Sequence, residues 1–453
     1  MHKITQAEAV ELVKKGELAE PQEKKALQQQ RLTELVNYAK ANSKFFAKHY
    51  SALADEPELK DIPPTAKEML MKDFDAWVTD PEVTHAKVKE YLTQAPVTSN
   101  LLLDRYSVLT TSGTTSEPMP FVRDSYHNNI HGAMMQTRLL RNCSPEVLSP
   151  KHSKVACVIA TGAHVSSYSS FLRMKNAFPE HKDNMVAFSA WAPIKELVKN
   201  LNEFQPRTLT GYPSILSILA VEQKKGNMKI SPEVVACSAE TLTPANFDLL
   251  KEVFGCPILN NYCSTEGGEA AMSCPHGNLH INDDWVLIET IKDNGEPSDP
   301  DEFSEAILIT DLTNYIQPII RYRMNDRAKI VHEKCACGSR FPIMQISGRL
   351  GDTLHLSGKP VPSLPLIYAM EQDTQEASVY QIAQTGQNRV ELRFTLYDAA
   401  DSDEYIKKAS HHIKKVFGAY DCNDTELIIS DEPPKVNLRG GKIKNVIKEW
   451  SLE

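Results

Sequence analysis

The stretch TLTGYPSILSILAVEQKKG, residues 208–226, reads as the end of a β-strand followed at once by a helix that closes at a glycine. Similar units flank it. KVACVIAT (154–161) and VVACSAE (234–240) are predicted as buried strands, and PIKELVKNLNEF (193–204) and NFDLLKEVFG (246–255) as helices. This alternation predicts an α/β fold with a helix-covered, largely parallel sheet. Ligands of such sheets bind at the carboxyl ends of the strands, where this sequence carries hydroxyl and acidic residues.

The chain of 453 residues is too long for one compact core, so two or three domains are expected. A net charge of -9 argues against a general nucleic-acid binder, whose signature is a basic patch. No apolar run is long enough to span a bilayer, and the charged N-terminus lacks the apolar segment of a secretory signal. Nine cysteines, an odd number, favour reduced thiols and a cytoplasmic location.

The predicted helix and strand content divides the chain into three regions. Residues 1–100 read mainly as helices and are expected to pack as a leader on the core. Within them Pro63-Pro64 breaks a helix, and Thr65 with Glu68 three residues later resembles a capping box. Residues 101–347 hold the sheet and, after about residue 280, a β-rich subdomain. Residues 348–453 follow a glycine-containing junction and are predicted to form a small, mobile α+β domain.

The segment VLTTSGTTSEP (108–118) places several small hydroxyls around one glycine, directly after an apolar run. Backbone N–H groups and hydroxyls in such a loop can surround a polyphosphate, although a plain linker has the same composition. The classical GxxxxGK[ST] loop is absent, so a phosphate site here would be of another kind. The residues proposed to hold phosphate are Thr111, Ser112, Gly113, Thr114 and Thr115.

Three further segments carry residues suited to nucleotide chemistry. In NNYCSTEGGE, Thr265 and Glu266 follow a predicted strand and could contact phosphate and Mg²⁺, which prefers oxygen ligands. Asp326 follows the strand in IIRYRMNDR and could bind ribose hydroxyls. Lys442 in LRGGKIKN could stabilise charge that develops on phosphate oxygen. Each segment taken alone is better explained by a surface turn, an ion-pair cluster or a solvated lysine.

Together these segments resemble, in order and spacing, the acyl-adenylate-forming enzymes, and in particular the phenylacetate–CoA ligase branch with its capsule-biosynthesis relatives. The resemblance covers the chain from about residue 30 to its end. TTSGTTSEP stands where the family has its phosphate loop, SAE matches Gly-Ala-Glu, and YCSTEG matches Tyr-Gly-x-Thr-Glu. RYRMND is similar to Tyr-Arg-Thr-Gly-Asp, GRLGD to the hinge Gly-Arg-x-Asp-Asp, and GGKIK to the C-terminal lysine loop.

The resemblance implies an acid–thiol ligase that uses ATP, Mg²⁺ and CoA. A carboxylate attacks the α-phosphate of ATP, and the acyl group of the resulting adenylate then passes to CoA, with the C-terminal domain rotating between the two steps. Lys442, Glu266 and Thr265 would be catalytic, and Glu266 would hold the magnesium. The remaining residues implied to bind the nucleotide are Ser238, Ala239, Glu240, Asn261, Tyr262, Asp326 and Arg349.

Three departures from the family pattern bear on activity and substrate. The phosphate loop has Ser116-Glu117 where the family favours Gly-Lys, and a carboxylate repels pyrophosphate unless it points away. Gly351 replaces the first acid of the hinge pair, which leaves Asp352. The aromatic, glycine-rich acyl-pocket segment is replaced by ATGAHVSSYSSFLR. The resemblance implies an aryl or arylacetic acid, but phenylacetate itself is not inferred.

Two short Cys/His clusters predict a structural zinc site. SCPHGNLH offers Cys274 and His280, with His276 in reserve, and EKCACGSRFP offers Cys335 and Cys337. A closed set of four such ligands suits zinc, and some members of the branch carry such a site. The alternative is two unrelated pairs of buried thiols.

Two other functions stay open at this point. One is adenylation with an acceptor other than CoA. The other is a zinc-stabilised nucleotide-binding protein that has lost catalysis. Glu117 and Gly351 support this alternative because they depart from the family pattern. The expected partners are a small carboxylic acid, ATP and CoA, without nucleic acid or membrane. A homodimer is a possible assembly, but the sequence does not define the oligomeric state. It also does not define the acid or the pathway.

Overall fold

The computed structural model describes residues 4–94, 101–111, 119–141, 143–148, 153–161, 164–190, 192–349, 353–361, 363–371, 377–397, 400–435 and 444–450. Its α-helices are α1 (Gln6–Leu18), α2 (Pro21–Asn42), α3 (Lys44–His49), α4 (Lys67–Met71), α5 (Phe74–Trp77), α6 (His85–Thr93), α7 (Ser125–Met134), α8 (Pro145–Leu148), α9 (Ser166–Ala177), α10 (Ile194–Phe204), α11 (Pro213–Lys224), α12 (Pro244–Phe254), α13 (Ser363–Glu371) and α14 (Ser402–Ala419). Short 3₁₀ segments lie at Leu59–Asp61 and Pro179–Asn184, and a π-helical turn, Met135–Leu139, extends α7.

The strands of the described chain fall into a large core sheet and several small sheets. They are β1 (Ser107–Thr110), β2 (Pro120–Arg123), β3 (Val155–Ile159), β4 (Met185–Ser189), β5 (Thr208–Gly211), β6 (Val234–Ser238), β7 (Ile258–Ser264), β8 (Gly268–Ser273), β9 (Leu279–Ile281), β10 (Val286–Ile291), β11 (Ala306–Asp311), β12 (Ile319–Met324), β13 (Asp326–Val331), β14 (Ile343–Arg349), β15 (Leu354–Leu356), β16 (Lys359–Val361), β17 (Ala377–Gly386), β18 (Arg389–Leu396), β19 (Glu426–Ile429) and β20 (Val446–Lys448).

The large sheet has the order β13-β14-β9-β8-β7-β6-β5-β3-β4 among the described residues. Neighbours from β4 to β7 run parallel, and neighbours from β7 to β13 run antiparallel. The order β10-β11-β12 forms an antiparallel sheet, and β19-β18-β17-β20 forms the sheet of the C-terminal part. The predicted α/β class, with a β-rich portion after residue 280 and an α+β C-terminal part, is confirmed.

Local signals explain why helices end where they do beside the parallel strands. In α12, the Thr243 side chain accepts a hydrogen bond from the Asn246 N–H, Pro244 occupies the first turn, and Gly255 ends the helix with φ of 63°. In α10, Leu197, Val198 and Leu201 lie on one face and are buried. These helices therefore cover the sheet with their apolar faces and leave its carboxyl edge to the loops.

Three main apolar cores hold the described chain together. One is built on the parallel strands and their helices, and a second joins the N-terminal helices to β2 and to the strands after β7. The third, with Leu392, Tyr405 and Ile413, lies in the C-terminal sheet and α14. The division at residues 100 and 347 stays a prediction. No helix in the described ranges combines the length and apolarity that crossing a bilayer requires.

The predicted capping role of Thr65 is wrong. The N-cap residue of α4 is Ala66, without a side-chain hydrogen bond. Thr65 instead donates its N–H to the Arg321 carbonyl at 3.0 Å and its hydroxyl to the Ile320 carbonyl at 2.9 Å. A buried threonine must satisfy both polar groups, and the edge of β12 does this where water cannot reach.

Candidate active site

The turn between β7 and β8 carries Thr265 and Glu266 at the carboxyl end of the parallel strands. The Thr265 hydroxyl lies 2.8 Å from that of Ser166, the first residue of α9. The Thr265 carbonyl accepts a hydrogen bond from Arg123 Nη2 at 2.7 Å. Ser264 Oγ accepts the Gly267 N–H at 2.9 Å and so tightens the turn. The hydroxyl and the carbonyl of Thr265 are therefore each held by a neighbouring side chain.

The ends of the hydroxyl-rich segment lie close to this turn. Thr111 Oγ1 accepts the Met119 N–H at 3.1 Å, while the Thr111 N–H donates to the Met119 carbonyl at 3.2 Å. The Tyr322 hydroxyl contacts Met119 Sδ at 3.7 Å. Burial, and then the nearby Glu266 carboxylate, raise the pKa of Tyr322. Met119, which pairs with Thr111, and Glu266 thus both lie near Tyr322. Ser112, Gly113, Thr114, Thr115 and Glu117 lie outside the described residues.

The residues expected on the adenine side come from two neighbouring strands. Ser238 ends β6 and pairs in register with Asn261 of β7, which precedes Tyr262. Ala239 has φ of 67°, a left-handed conformation that turns the chain sharply after the strand. Glu240 accepts the Ser214 N–H at 3.1 Å, so its carboxylate sits at the start of α11. The structure thus gathers this group at one edge of the sheet.

Two of the remaining predicted residues meet across another strand pair. Asp326 begins β13, is 5% exposed, and is the register partner of Arg349 on β14. Neighbouring strands therefore hold the backbones of these two residues opposite each other. The side chain of Arg349, together with Gly351, Asp352 and Lys442, lies outside the described residues.

A buried charged layer, made of Arg123, His127, His131, Glu269 and Asp311, lies beneath the turn. His131 Nδ1 is 2.9 Å from a Glu269 carboxylate oxygen, and its Nε2 is 3.6 Å from Asp311. His127 Nδ1 is 3.1 Å from Asp311. The two imidazole rings are tilted by 31° to each other, with centroids 4.1 Å apart. Sequence reasoning missed this layer, for which the one available signal was the spacing of two histidines four residues apart on one helix.

The protonation states in this layer follow from its contacts. Burial lowers the pKa of His127 to about 3, aided by repulsion from His131, so His127 is neutral. Burial also opposes charge on His131, but hydrogen bonds to Asp311 and Glu269 outweigh it and raise the pKa of His131. Burial would raise the pKa of Glu269, yet contact with His131 lowers it to about 2. One imidazolium is therefore shared by two carboxylates.

The centre of the layer is filled by a hydroxyl. Thr313 Oγ1 lies 2.7 Å from His127 Nδ1, 3.1 Å from His131 Nε2 and 2.5 Å from Asp311 Oδ1. Two histidines and a carboxylate could in principle hold a metal ion. Because the threonine hydroxyl already hydrogen-bonds all three, we interpret the group as a hydrogen-bonded charge network.

The charged layer supports the backbone of the active-site turn directly. Gly268 has φ of 61°, and a Cβ placed there would lie 2.2 Å from His131 Cε1, so only glycine fits. The Glu269 main-chain nitrogen also lies 3.0 Å from His131 Nδ1, beside the side-chain contact. A change at His131 should therefore reach Glu266 and Thr265, which precede Glu269 by three and four residues, through the backbone of the turn.

We expect His131→Gln to reduce the free energy of unfolding of the sheet region by about 3 kcal/mol, because Glu269 and Asp311 would lose their buried counter-charge. Urea unfolding would measure this loss of stability, with the exposed His411→Gln as the control.

The same contact predicts a pH dependence. A histidine whose folded pKa is raised contributes stability fully below its unfolded pKa of about 6.5, and this contribution is lost as the pH rises through the folded pKa. The free energy of unfolding of the wild-type protein should therefore decline above about pH 6.5. If His131→Gln showed the same decline, the pH dependence would not come from His131.

The predicted zinc ligands come together between β8, β9 and the loop that joins β13 to β14. Cys274 Sγ lies 3.7 Å from Cys335 Sγ, and Cys337 Sγ lies 3.3 Å from His280 Nε2. The four ligand atoms all lie within 4.8 Å of one another. His276 is exposed and outside this group. The three thiols and one imidazole match a closed tetrahedral zinc site in ligand number and type.

Contacts around these ligands orient them for a metal. His280 Nδ1 donates to the Phe341 carbonyl at 2.8 Å, which leaves Nε2 facing the thiols. Asn278 donates to Cys335 Sγ at 3.3 Å, and the Ser339 N–H to Cys337 Sγ at 3.4 Å. Burial would raise the pKa of Cys335, but N–H donors from Cys337 and Asn278 lower it. The outer contacts thus favour thiolate at Cys335, the form that binds zinc.

The fold and the site define an enzyme of the adenylate-forming class. The model of the family described as AMP-binding enzyme matches residues 24–292, more than half of the chain, and the protein belongs to this family.

Named relatives place it more narrowly. Protein CapK of Staphylococcus aureus is 23% identical over 403 residues, which cover 86% of this chain and 83% of CapK. Phenylacetate-coenzyme A ligase of Thermus thermophilus is 29% identical over 167 residues, covering 35% of this chain and 37% of that one. The crystal structure of 2-hydroxyisobutyryl-CoA ligase in its postadenylation state superposes with a TM-score of 0.73 at 17% identity, covering 96% of this chain and 92% of the other. The predicted CapK and phenylacetate–CoA ligase branch is confirmed.

Proposed function

We propose that the protein activates a carboxylic acid with ATP as an acyl-adenylate and transfers the acyl group to CoA. The observation that carries the proposal is the Thr265–Glu266 turn, held at the carboxyl edge of the sheet by Ser166 and Arg123. The names of the CoA ligases among the relatives support CoA as the acceptor.

In this proposal each part of the site has one task. The segment that follows Thr111, together with the Thr265 hydroxyl, binds the phosphates, and Glu266 holds the magnesium ion that neutralises charge on them. Ser238, Ala239, Glu240, Asn261 and Tyr262 line the adenine side, and Asp326 with Arg349 holds the ribose. Lys442 supplies positive charge to the adenylation step only.

Isotope exchange between pyrophosphate and ATP, over a panel of carboxylic acids, tests the first step separately from the second. Acid-dependent exchange together with CoA consumption is the expected result. Exchange without CoA consumption would replace CoA by another acceptor. No exchange with any acid would favour a nucleotide-binding protein without catalysis and would overturn the proposal.

We propose further that Cys274, His280, Cys335 and Cys337 bind one structural zinc ion. The purified protein should contain about one zinc per chain, and a strong chelator should lower its thermal midpoint, because metal binding stabilises the folded site. Cys337→Ser should lose most of the zinc. The matched control is Cys256→Ser, since this thiol lies away from the cluster and should not affect metal content. Equal zinc content in the two variants, or none in the wild type, would contradict the assignment.

A further inference from the structure

The face of α9 that meets Thr265 is polar along its length. Ser166, Ser170 and Arg173 are spaced by four and three residues, which places them on one face of the helix. Ser166 contacts the Thr265 hydroxyl, and Arg173 Nη2 donates to Ser170 Oγ at 3.2 Å. Arg173 Nη1 also donates to the Asn128 side-chain carbonyl. The surface that begins at Thr265 is thus lined with hydroxyls and ends at a guanidinium.

A second guanidinium lies on the same side of the turn. Arg123 is 6% exposed and donates to the Thr265 carbonyl. It is close enough to Arg173 for the two positive charges to repel each other. Across the described ranges, neither arginine has a carboxylate within 4.0 Å, and each has a buried Nε–H without a hydrogen-bond partner. Buried N–H donors of a charged group are normally satisfied, so these two are available to a ligand.

The acidic groups nearby are already engaged. Glu269 contacts His131, and Asp311 contacts both histidines. Asp124, although next to Arg123 in sequence, caps α7 by accepting the His127 N–H at 2.9 Å. Glu266, which also acts on Arg123 electrostatically, is assigned to magnesium in the proposed function.

The carboxylates of this region are shared among more than one cation. Glu269 and Asp311 contact His131 and act on Arg123 only at a distance, as does Glu266, and Arg173 feels Glu269 alone among the carboxylates. Burial, and then repulsion from Arg123, lower the pKa of Arg173 to about 10, and attraction to Glu269 offsets only part of this shift. An uncompensated buried charge is strongly unfavourable, and an anion that entered from the Thr265 side would relieve it.

We propose that the acid activated by this protein carries a second carboxylate, which Arg173 and Arg123 bind while the first is activated beside Thr265. The inference rests on the proposed function, because it takes Thr265 as the neighbour of the reacting carboxyl group. Ser166 and Ser170 are one helical turn apart, about 6 Å, so the two carboxylates suit a dicarboxylic acid of about four to six carbons. This replaces the aryl or arylacetic acid that the family resemblance implies.

Pyrophosphate exchange with succinate, glutarate and adipate, each compared with the monocarboxylic acid of equal length and with phenylacetate, tests the inference. The wild type should prefer a dicarboxylic acid. Arg173→Gln should lower kcat/KM for that acid by about 10²-fold, mainly through KM, and lower it much less for the monocarboxylic acids. Arg173→Lys keeps the charge without the planar fork and should fall in between. The exposed Arg207→Gln serves as the control.

The outcomes separate this inference from the function on which it rests. If monocarboxylic acids are activated better than dicarboxylic ones, or if Arg173→Gln lowers activity on both by the same factor, the second-carboxylate site is wrong while acid activation stands. If no acid supports exchange, the proposed function fails and this inference fails with it. The wild-type comparison decides the matter even if Arg173→Gln does not fold.

Discussion

Replacing Glu266 with glutamine should slow acyl-adenylate formation by about 10²- to 10³-fold, the usual effect of removing one electrostatic contact to a transferring phosphate. Glutamine keeps the size and shape of the side chain but loses the charge that a hard cation such as Mg²⁺ prefers. The loss should therefore appear largely as a higher requirement for magnesium, and raising the Mg²⁺ concentration should recover part of the rate.

Pyrophosphate exchange at several Mg²⁺ concentrations measures this effect. Glu296→Gln is the matched control, since that carboxylate is exposed in the connection between β10 and β11. The role of Glu266 would be refuted by a variant whose rate and magnesium dependence equal those of the wild type. An equal loss at every Mg²⁺ concentration would instead indicate damage to the turn that holds Thr265.

Replacing Lys442 with alanine should produce a loss of similar size, about 10²- to 10³-fold, but in the adenylation step alone. A lysine that neutralises charge on the α-phosphate during adenylate formation is not needed in the second step, in which CoA displaces AMP. The variant should therefore still convert a synthetic acyl-adenylate and CoA to the thioester.

Both half-reactions need to be measured on the same preparation. Lys444→Ala is a close control: its main-chain carbonyl, which accepts the Gln381 side-chain N–H at 3.0 Å, remains after the substitution. If Lys442→Ala lost both half-reactions, the lysine would not be specific to the first step. If it lost neither, the C-terminal loop would lie outside the catalytic machinery.

The helices and parallel strands could be predicted because their signals are local. Apolar residues recur along α10 with helical spacing, and α12 begins at a threonine and proline and ends at a glycine. Such patterns involve residues that are close in sequence, so they can be recognised without knowledge of the tertiary structure. The four residues proposed to bind zinc could be selected from the sequence because two short Cys/His clusters already restrict the chemistry, and the structure brings these four together.

Thr65 shows where local signals fail. Its spacing to Glu68 is that of a capping box, yet its N–H and hydroxyl are both used by β12. The competing partner lies 255 residues away in sequence, at Ile320, and a local pattern contains no information about it. Tertiary contacts prevail here because Thr65 is buried and must satisfy its polar groups within the protein.

The sequence by itself determined the family, the order of strands and helices, and the residue types that could bind nucleotide and zinc. Only the tertiary structure decided which charges share a buried space: Arg123, His131, Arg173, Glu269 and Asp311 come from five separate strands and helices. The energy of a buried charge depends on its distance to other charges and on its exclusion from water, and neither quantity is defined until the chain has folded. The preference for a second carboxylate is accordingly a property of the folded site, whereas the use of ATP is already indicated by the motifs.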